Sequence, residues 1–451
     1  MSAGSYTAGV LDFLVDHLKK YMDQPESGRK YNVQIKAVAG ASAGGMCGSI
    51  LVNGLYKNWP NKPYDSSLHT AWVKDIDIKK LSTTEDLAQG KVNSLLNGLP
   101  LFDIADKAFE GTPTGTVHEP PDFVSDKLKL ILSVTNTSGL SYAISFINQN
   151  HENPYFITNH RDYFEFSIDA QEEDYLPLAS KNDWDYLKKI SVATGAFPIG
   201  LPPIELERPT EYYRQRTISG LEPFNLEGDK FKFYAIDGGV GDNEPLGKIQ
   251  NLIEQDIADG TEHAVVFIDP FPSERSTNGE SLMGHFGRLY TALRNQSAFK
   301  PHEIRPYIDV PGESGQRKFN GFFIAPKRDG ADPEELQVAG GAFGAFSGFV
   351  HQSYREFDYV LGLRNCQRFV DKHFELGGNT VLDLDVGNEI TQLLWPNISE
   401  RDFKKIAKPM NVRTRKVVSI LSGSKIVGFL VRKLASKKIK EVLCEHQLID
   451  E

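Results

Sequence analysis

The chain has 451 residues, 40% hydrophobic and 24% charged, with a net charge of −10 and three cysteines. Its 27 Phe and 17 Tyr need a core, which excludes a disordered chain. Cys47, Cys366 and Cys444 are odd in number and far apart, which excludes a disulfide scaffold or a CxxC zinc site and suits a reducing cytoplasm. The acidic balance argues against nucleic-acid binding. No run of about 18 apolar residues could cross a bilayer as a helix. The first residues, Met1 to Gly9, carry neither the basic start nor the apolar stretch of a signal peptide. The charge is unevenly spread: residues 401–440 hold 13 Lys or Arg against one acid, Asp402, and residues 441–451 hold four acids, which leaves −18 for residues 1–400.

Taken along the chain, residues 7–20 predict a helix, with Val10, Leu11, Leu14, Val15 and Leu18 on one face and Lys19 and Lys20 favouring its C-terminal end. Residues 33–39 alternate and predict a strand, which runs directly into Gly40-Ala41-Ser42-Ala43-Gly44 and then a helix of small residues from about 45 to 55. Residues 61–126 are mostly polar and rich in turn signals. A second strand is predicted over 127–137, with further strand within 142–147 and 154–168. Residues 191–203 predict a short helix ended by a proline cluster. A strand over 231–237 enters Gly238-Gly239, a helix over 246–260 ends at Gly260, and 263–270 read as a buried strand. A helix follows over 281–298. Residues 308–346 are Gly-rich and carry no readable pattern, and 352–374 predict a long amphipathic helix. Strands that alternate with helices imply an α/β fold with a largely parallel sheet. The division expected is a core over 1–275, a mostly helical extension over 276–400 and a basic tail over 401–451.

Two motifs carry chemistry. Gly40-Ala41-Ser42-Ala43-Gly44 is a GxSxG between a predicted strand and a predicted helix, the setting of a nucleophile elbow. Glycines flank the serine because a sharp turn crowds its neighbours, and the amides that open the following helix can stabilise an oxyanion. The same five residues would also serve as a plain strand-to-helix turn. Asp237-Gly238-Gly239 ends a strand, where α/β sheets place their active sites. An aspartate in reach of the serine hydroxyl can act as general base without histidine, and the same residues could instead cap a turn. His263, His351 and His373 read as surface or packing residues.

At these residues the sequence resembles the patatin-like phospholipase family. GASAGG (40–45) is similar to its nucleophile motif, and AIDGGVGDNEPL (235–246), with Asn243 and Pro245, to its DGG motif. ATGAFPIGLPP (193–203) and GSYTAGVLDFL (4–14) resemble the stretch between the motifs and the helix after the family's Gly-rich loop. FDYVLGLRNCQRF (357–369) is similar to a C-terminal segment of bacterial members. The resemblance implies a three-layer α/β/α sandwich with a mostly parallel central sheet. It implies a Ser–Asp dyad of Ser42 and Asp237, with Gly238 and Gly239 completing the motif, that hydrolyses acyl esters through an acyl-serine. It further implies phospholipids, lysophospholipids or acylglycerols as substrates, and no metal or organic cofactor. The family's oxyanion loop is G-G-G-x-(Arg or Lys)-G after a first strand. Here Gly4 matches its last glycine and Ala3 stands at the basic position, so the sequence is expected to begin inside that loop, with the strand position beside Ser42 left unfilled. The oxyanion and elbow residues that remain are Gly4, Gly40, Ala43 and Gly44. An alternative is a catalytically silent relative that binds lipid or a partner, and a third reading is a serine acyltransferase.

Residues 413–443 combine apolar and basic side chains. Ile420, Ile426, Val427, Leu430, Val431 and Leu434 fall on one helical side, with Lys425, Arg432, Lys433, Lys437 and Lys438 largely off it. This predicts one basic amphipathic helix that either lies on an anionic membrane or packs on the acidic body. The protein is accordingly expected in the cytoplasm, with a peripheral membrane contact as an addition.

Overall fold

The computed structural model describes residues 2, 4–57, 59–60, 62–112, 120–144, 155–169, 171–172, 174–218, 220–243, 245–255, 261–271, 292, 296–297, 300–308 and 317–450. Six strands form the main sheet: β1 Ile35–Gly40, β2 Val124–Ile144, β3 Tyr155–Ser167, β4 Leu176–Pro177, β5 Ile204–Pro209 and β6 Lys230–Asp237. Their order is β4-β3-β2-β6-β5, with β1 also paired to β2. The longer helices are α1 Gly4–Met22, α2 Ser42–Leu55, α3 Leu99–Ala108, α4 Lys181–Thr194, α5 Leu246–Gln255, α6 Gln352–Lys372, α7 Glu400–Ser422 and α8 Lys425–Glu445.

The architecture is an α/β sandwich, but the expectation of a mostly parallel sheet is corrected. Only β1–β2 and β3–β4 run parallel, whereas β2–β3, β2–β6 and β5–β6 are antiparallel. Connection length explains the difference. Parallel neighbours need a crossover of a dozen or more residues, usually helical. The path from β1 to β2 contains α2 and α3. By contrast, β2 and β3 are separated by the ten residues 145–154, and β5 and β6 by a stretch whose one helix is the short Thr210–Arg214.

The pairings of β2 position the site. β3 takes one edge of β2 along most of its length. The other edge is shared by β1, whose Gly40 lies opposite Leu132, and by β6, whose Asp237 lies opposite Val134. β1 and β6 therefore meet end to end, and both C-terminal ends arrive beside Ser133. Helices α2 and α4 pack against this sheet, α1 packs on α2, and α6 packs on α1. The α1–α6 crossing is close because a Cβ on Gly9 or Gly362 would fall about 2 Å from the facing carbonyl of Tyr359 or Tyr6. One core cluster runs from Tyr6 to Ile449.

Other sequence expectations shift in detail. The predicted buried strand 263–270 is β7 Ala264–Ile268. It pairs with β8 Asn320–Ile324 outside the main sheet and is only half-buried. The predicted helix 191–203 ends at Thr194; residues 195–203 are loop, because Gly195 caps α4 and the prolines cannot continue it. The predicted amphipathic helix 352–374 is α6, buried nearly all round because it lies between α1 and the turns of 339–349. Residues 256–260 and most of 281–298 lie outside the described residues. The single basic helix expected over 413–443 is two helices, broken at Gly423, whose φ of 66° is a left-handed helix end. Ile420 therefore lies on α7, apart from the other apolar residues grouped with it. Among the described residues, no helix is long and apolar enough to cross a membrane.

Candidate active site

β1 delivers the chain through Gly40 and an extended Ala41 to Ser42, which has φ +53° and opens α2. A non-glycine residue seldom adopts that conformation, and here it marks the tight strand-to-helix turn that pushes a serine outward. Gly40 is required, since a Cβ there would lie 2.8 Å from the Gly44 carbonyl carbon and from the Gly45 nitrogen. The turn is tied to the neighbouring helix. The Ser42 backbone N–H donates to Thr194 Oγ1 at 3.0 Å, and the Thr194 hydroxyl donates to the Ser133 carbonyl at 2.6 Å.

β6 brings the carboxylate. Its alternation sets Phe231, Phe233, Ala235 and Asp237 on the buried face, with Lys230, Lys232 and Tyr234 outside. Asp237 is 2% exposed. Its backbone N–H donates to Ala196 O at 2.9 Å, Thr135 Oγ1 donates to its carbonyl at 2.9 Å, and Gly239 N–H donates to its Oδ1 at 2.8 Å. A side chain at Gly238 is impossible without displacement, because its Cβ would fall 2.2 Å from the Ser133 carbonyl oxygen. The remaining carboxylate oxygen, Oδ2, accepts a hydrogen bond from Ser42 Oγ at 2.6 Å. That length is well within the range of a hydroxyl donating to a carboxyl oxygen.

The structure thus brings together Ser42, Asp237, Gly40, Gly238 and Gly239. Ala43 and Gly44 form the first turn of α2 beside them, and among the described residues their amides have no acceptor. Gly4 opens α1. It packs against the Trp72 ring, and its carbonyl accepts from Cys47 Sγ at 3.5 Å; no hydrogen bond joins it to the dyad among the described residues. His351 caps α6 and His373 ends it, away from the pair. Sequence reading missed Thr194, Ser133, Thr135 and Ala196. Thr194 and Ala196 sit in the 193–203 segment that the sequence had already set apart, yet nothing local shows that a threonine there holds the turn of Ser42.

Beside α2 lies a small apolar cavity of about 20 Å³, room for about one water, lined by Met46, Ile50, Trp72, Ile76, Leu101 and Phe109 among others. Met46 and Ile50 follow Ser42 by one and two helical turns on the same side.

Residues 1–248 match the patatin-like phospholipase family. An uncharacterised protein of Sinorhizobium fredii (y4iI) is 28% identical over 469 aligned positions, which take in 84% of this chain and 64% of that protein. The chain thus spans just under two thirds of the length of this curated relative. With more than half of its residues matched, the chain belongs to the patatin-like phospholipase family, whose family-level activity is lipid acyl hydrolysis.

Proposed function

We propose that the chain is a serine acyl-ester hydrolase acting on lipids, with Ser42 as nucleophile and Asp237 as general base. The observation that carries this reading is the 2.6 Å hydrogen bond from Ser42 Oγ to Asp237 Oδ2, made where two strand ends meet. As Oγ attacks the ester carbonyl carbon, its proton passes to Oδ2. Gly239 N–H on Oδ1 keeps the carboxylate turned toward the serine. The tetrahedral oxyanion lies over the α2 N-terminus, where the amides of Ala43 and Gly44 can donate to it. Collapse expels the alcohol, which takes the proton back from Asp237 and leaves an acyl-serine. Water, deprotonated by Asp237, then attacks the acyl carbon; carboxylic acid leaves and Ser42 Oγ recovers its proton.

The test is intact-mass labelling with a fluorophosphonate, with Ser42→Ala as control, followed by turnover of fatty-acyl ester substrates of increasing chain length. One adduct, absent from the variant, and hydrolysis of fatty-acyl esters are expected. Folded protein that takes up no adduct and hydrolyses no ester would overturn the reading. Acyl transfer to an added alcohol in preference to water would replace it with an acyltransferase.

A further inference from the structure

Helices α7 and α8 form an antiparallel hairpin that turns at Gly423, with the Ser424 side chain capping α8 through Val427 N–H. Its base is built into the body. Phe403, Ile406, Leu443 and Leu448 join the main core. Arg413 is buried, with a two-pronged bond to Asp86 at 2.7 and 2.8 Å and a further bond from Nε to Leu95 O at 2.6 Å. The tip is different. On α8, Gly428 and Leu443 turn inward, and a Cβ at Gly428 would lie 2.3 Å from Ser419 Oγ of α7. On the opposite side, Ile426, Val427, Leu430, Val431 and Leu434 recur at helical spacing and face solvent, Ile426 at 74% and Leu434 at 69% exposure. Leu421, at the end of α7, adds 68%.

An aliphatic stripe of this size on a helix is unfavourable in water and marks a docking face. The charge around it selects the partner. Residues 411–440 hold nine Lys or Arg and no Asp or Glu. The acids that meet them lie at the base: Asp86 on Arg413, Glu400 on Lys440, and Glu441 near Lys437 and Lys438. Two hairpins packed stripe to stripe would set like charges against each other, which disfavours a second copy as occupant. Aliphatic side chains flanked by long basic ones suit a surface with an apolar interior and anionic headgroups.

We propose that the tip of this hairpin, from Leu421 to Leu434, docks the protein on an anionic lipid bilayer. The base of the hairpin is joined by hydrogen bonds to the segment that holds Asp237. Leu95, whose carbonyl holds Arg413, donates its own N–H to Ile199 O at 2.8 Å, and Ile199 is three residues beyond Ala196, the acceptor for Asp237 N–H.

The experiment is vesicle co-sedimentation of the full chain carrying Ser42→Ala, so that binding is read without hydrolysis and stands apart from the catalytic reading. Vesicles of phosphatidylcholine with about one third phosphatidylglycerol should carry the protein down, and pure phosphatidylcholine vesicles should not. Ile426→Ser, Leu430→Ser and Leu434→Ser together should weaken binding about tenfold or more. Lys433→Glu with Lys437→Glu should do the same, and so should high salt. All five side chains are on the surface, so circular dichroism and melting should be unchanged. Protein that stays in the supernatant with both vesicle types overturns the proposal, as does undiminished binding by the triple serine variant. A dimer that disappears in that variant, without vesicle binding, would assign the stripe to a second copy.

Discussion

Asp237 has one oxygen committed to Gly239 N–H and the other to Ser42 Oγ, so an isosteric amide tests what the charge contributes. Asp237→Asn keeps the shape but cannot accept the serine proton. With the general base worth roughly 10²–10⁴-fold, kcat should fall by about 10³ while the fluorophosphonate adduct forms slowly or not at all. Thr194 acts differently. It touches no reacting atom, but it holds the Ser42 amide and the Ser133 carbonyl at once. Thr194→Val leaves both buried groups unpaired and lets the strained turn relax. The expected result is a drop of roughly 10–100-fold in kcat with KM little changed, since about 1 Å of misplacement costs on that order. Thr194→Ser keeps the hydroxyl and should restore most of the rate. A Thr194→Val variant whose kcat matches the parent would show that the turn is held without it.

At the scale of elements, the buried Arg413 joins α7 to the 83–97 loop. Removing one partner of a fully buried pair costs about 3–5 kcal/mol; Asp86 is partly solvated, so Arg413→Ala should cost about 2–3 kcal/mol. Urea unfolding would read the total, and amide exchange should rise first in 83–97 and 400–420. Protection unchanged in both segments would count against the anchor. These elements also show what the sequence could convey. The strand over 231–237 placed Asp237 at a strand end before two glycines, and its alternation with Phe231 and Phe233 accounts for its burial. The strand–GxSxG–helix order likewise located Ser42. Strand direction was not legible, because it depends on whether a connection can hold a helix, and the stretches that join β2 to β3 and β5 to β6 gave no clear signal either way. In the tail, periodicity found the apolar stripe but ran on through Gly423. Pro409 lies inside α7, while the left-handed turn at Gly423 ends it.

For the molecule as a whole, pH dependence follows from carboxyls that the fold removes from water. Asp12 of α1 is fully buried, and its Oδ2 accepts from Ser66 Oγ at 2.6 Å and from Tyr359 OH at 2.8 Å. Burial outweighs these bonds and raises the carboxyl from its usual range to about 8. Asp358, on α6, is likewise raised by burial to about 8, although the amides of Ala339 and Gly340 donate to it. A raised acid holds its proton in the folded chain and loses it on unfolding, so between the two values stability falls as pH rises. Histidines act in the opposite sense at lower pH. Burial lowers His69 to about 4 and also lowers His17 and His351, so stability gains from them as pH rises toward about 6.5 and no further. Lys57, lowered by burial to about 8, adds stability only above that value. In the window from about pH 6.5 to 8 the trend is set by these two carboxyls, with Asp242, which burial also raises. Each proton held by the folded state alone contributes a slope of about 1.4 kcal/mol per pH unit. Asp12→Asn can still accept both hydroxyls and has no proton to lose, so it should make the decline seen in urea unfolding at pH 6.5, 7, 7.5 and 8 visibly shallower. A parent protein whose stability is flat or rising across that interval would mean that Asp12 and Asp358 are ionised in the fold, and that the contact between α1, Ser66 and α6 carries a buried charge rather than a neutral acid.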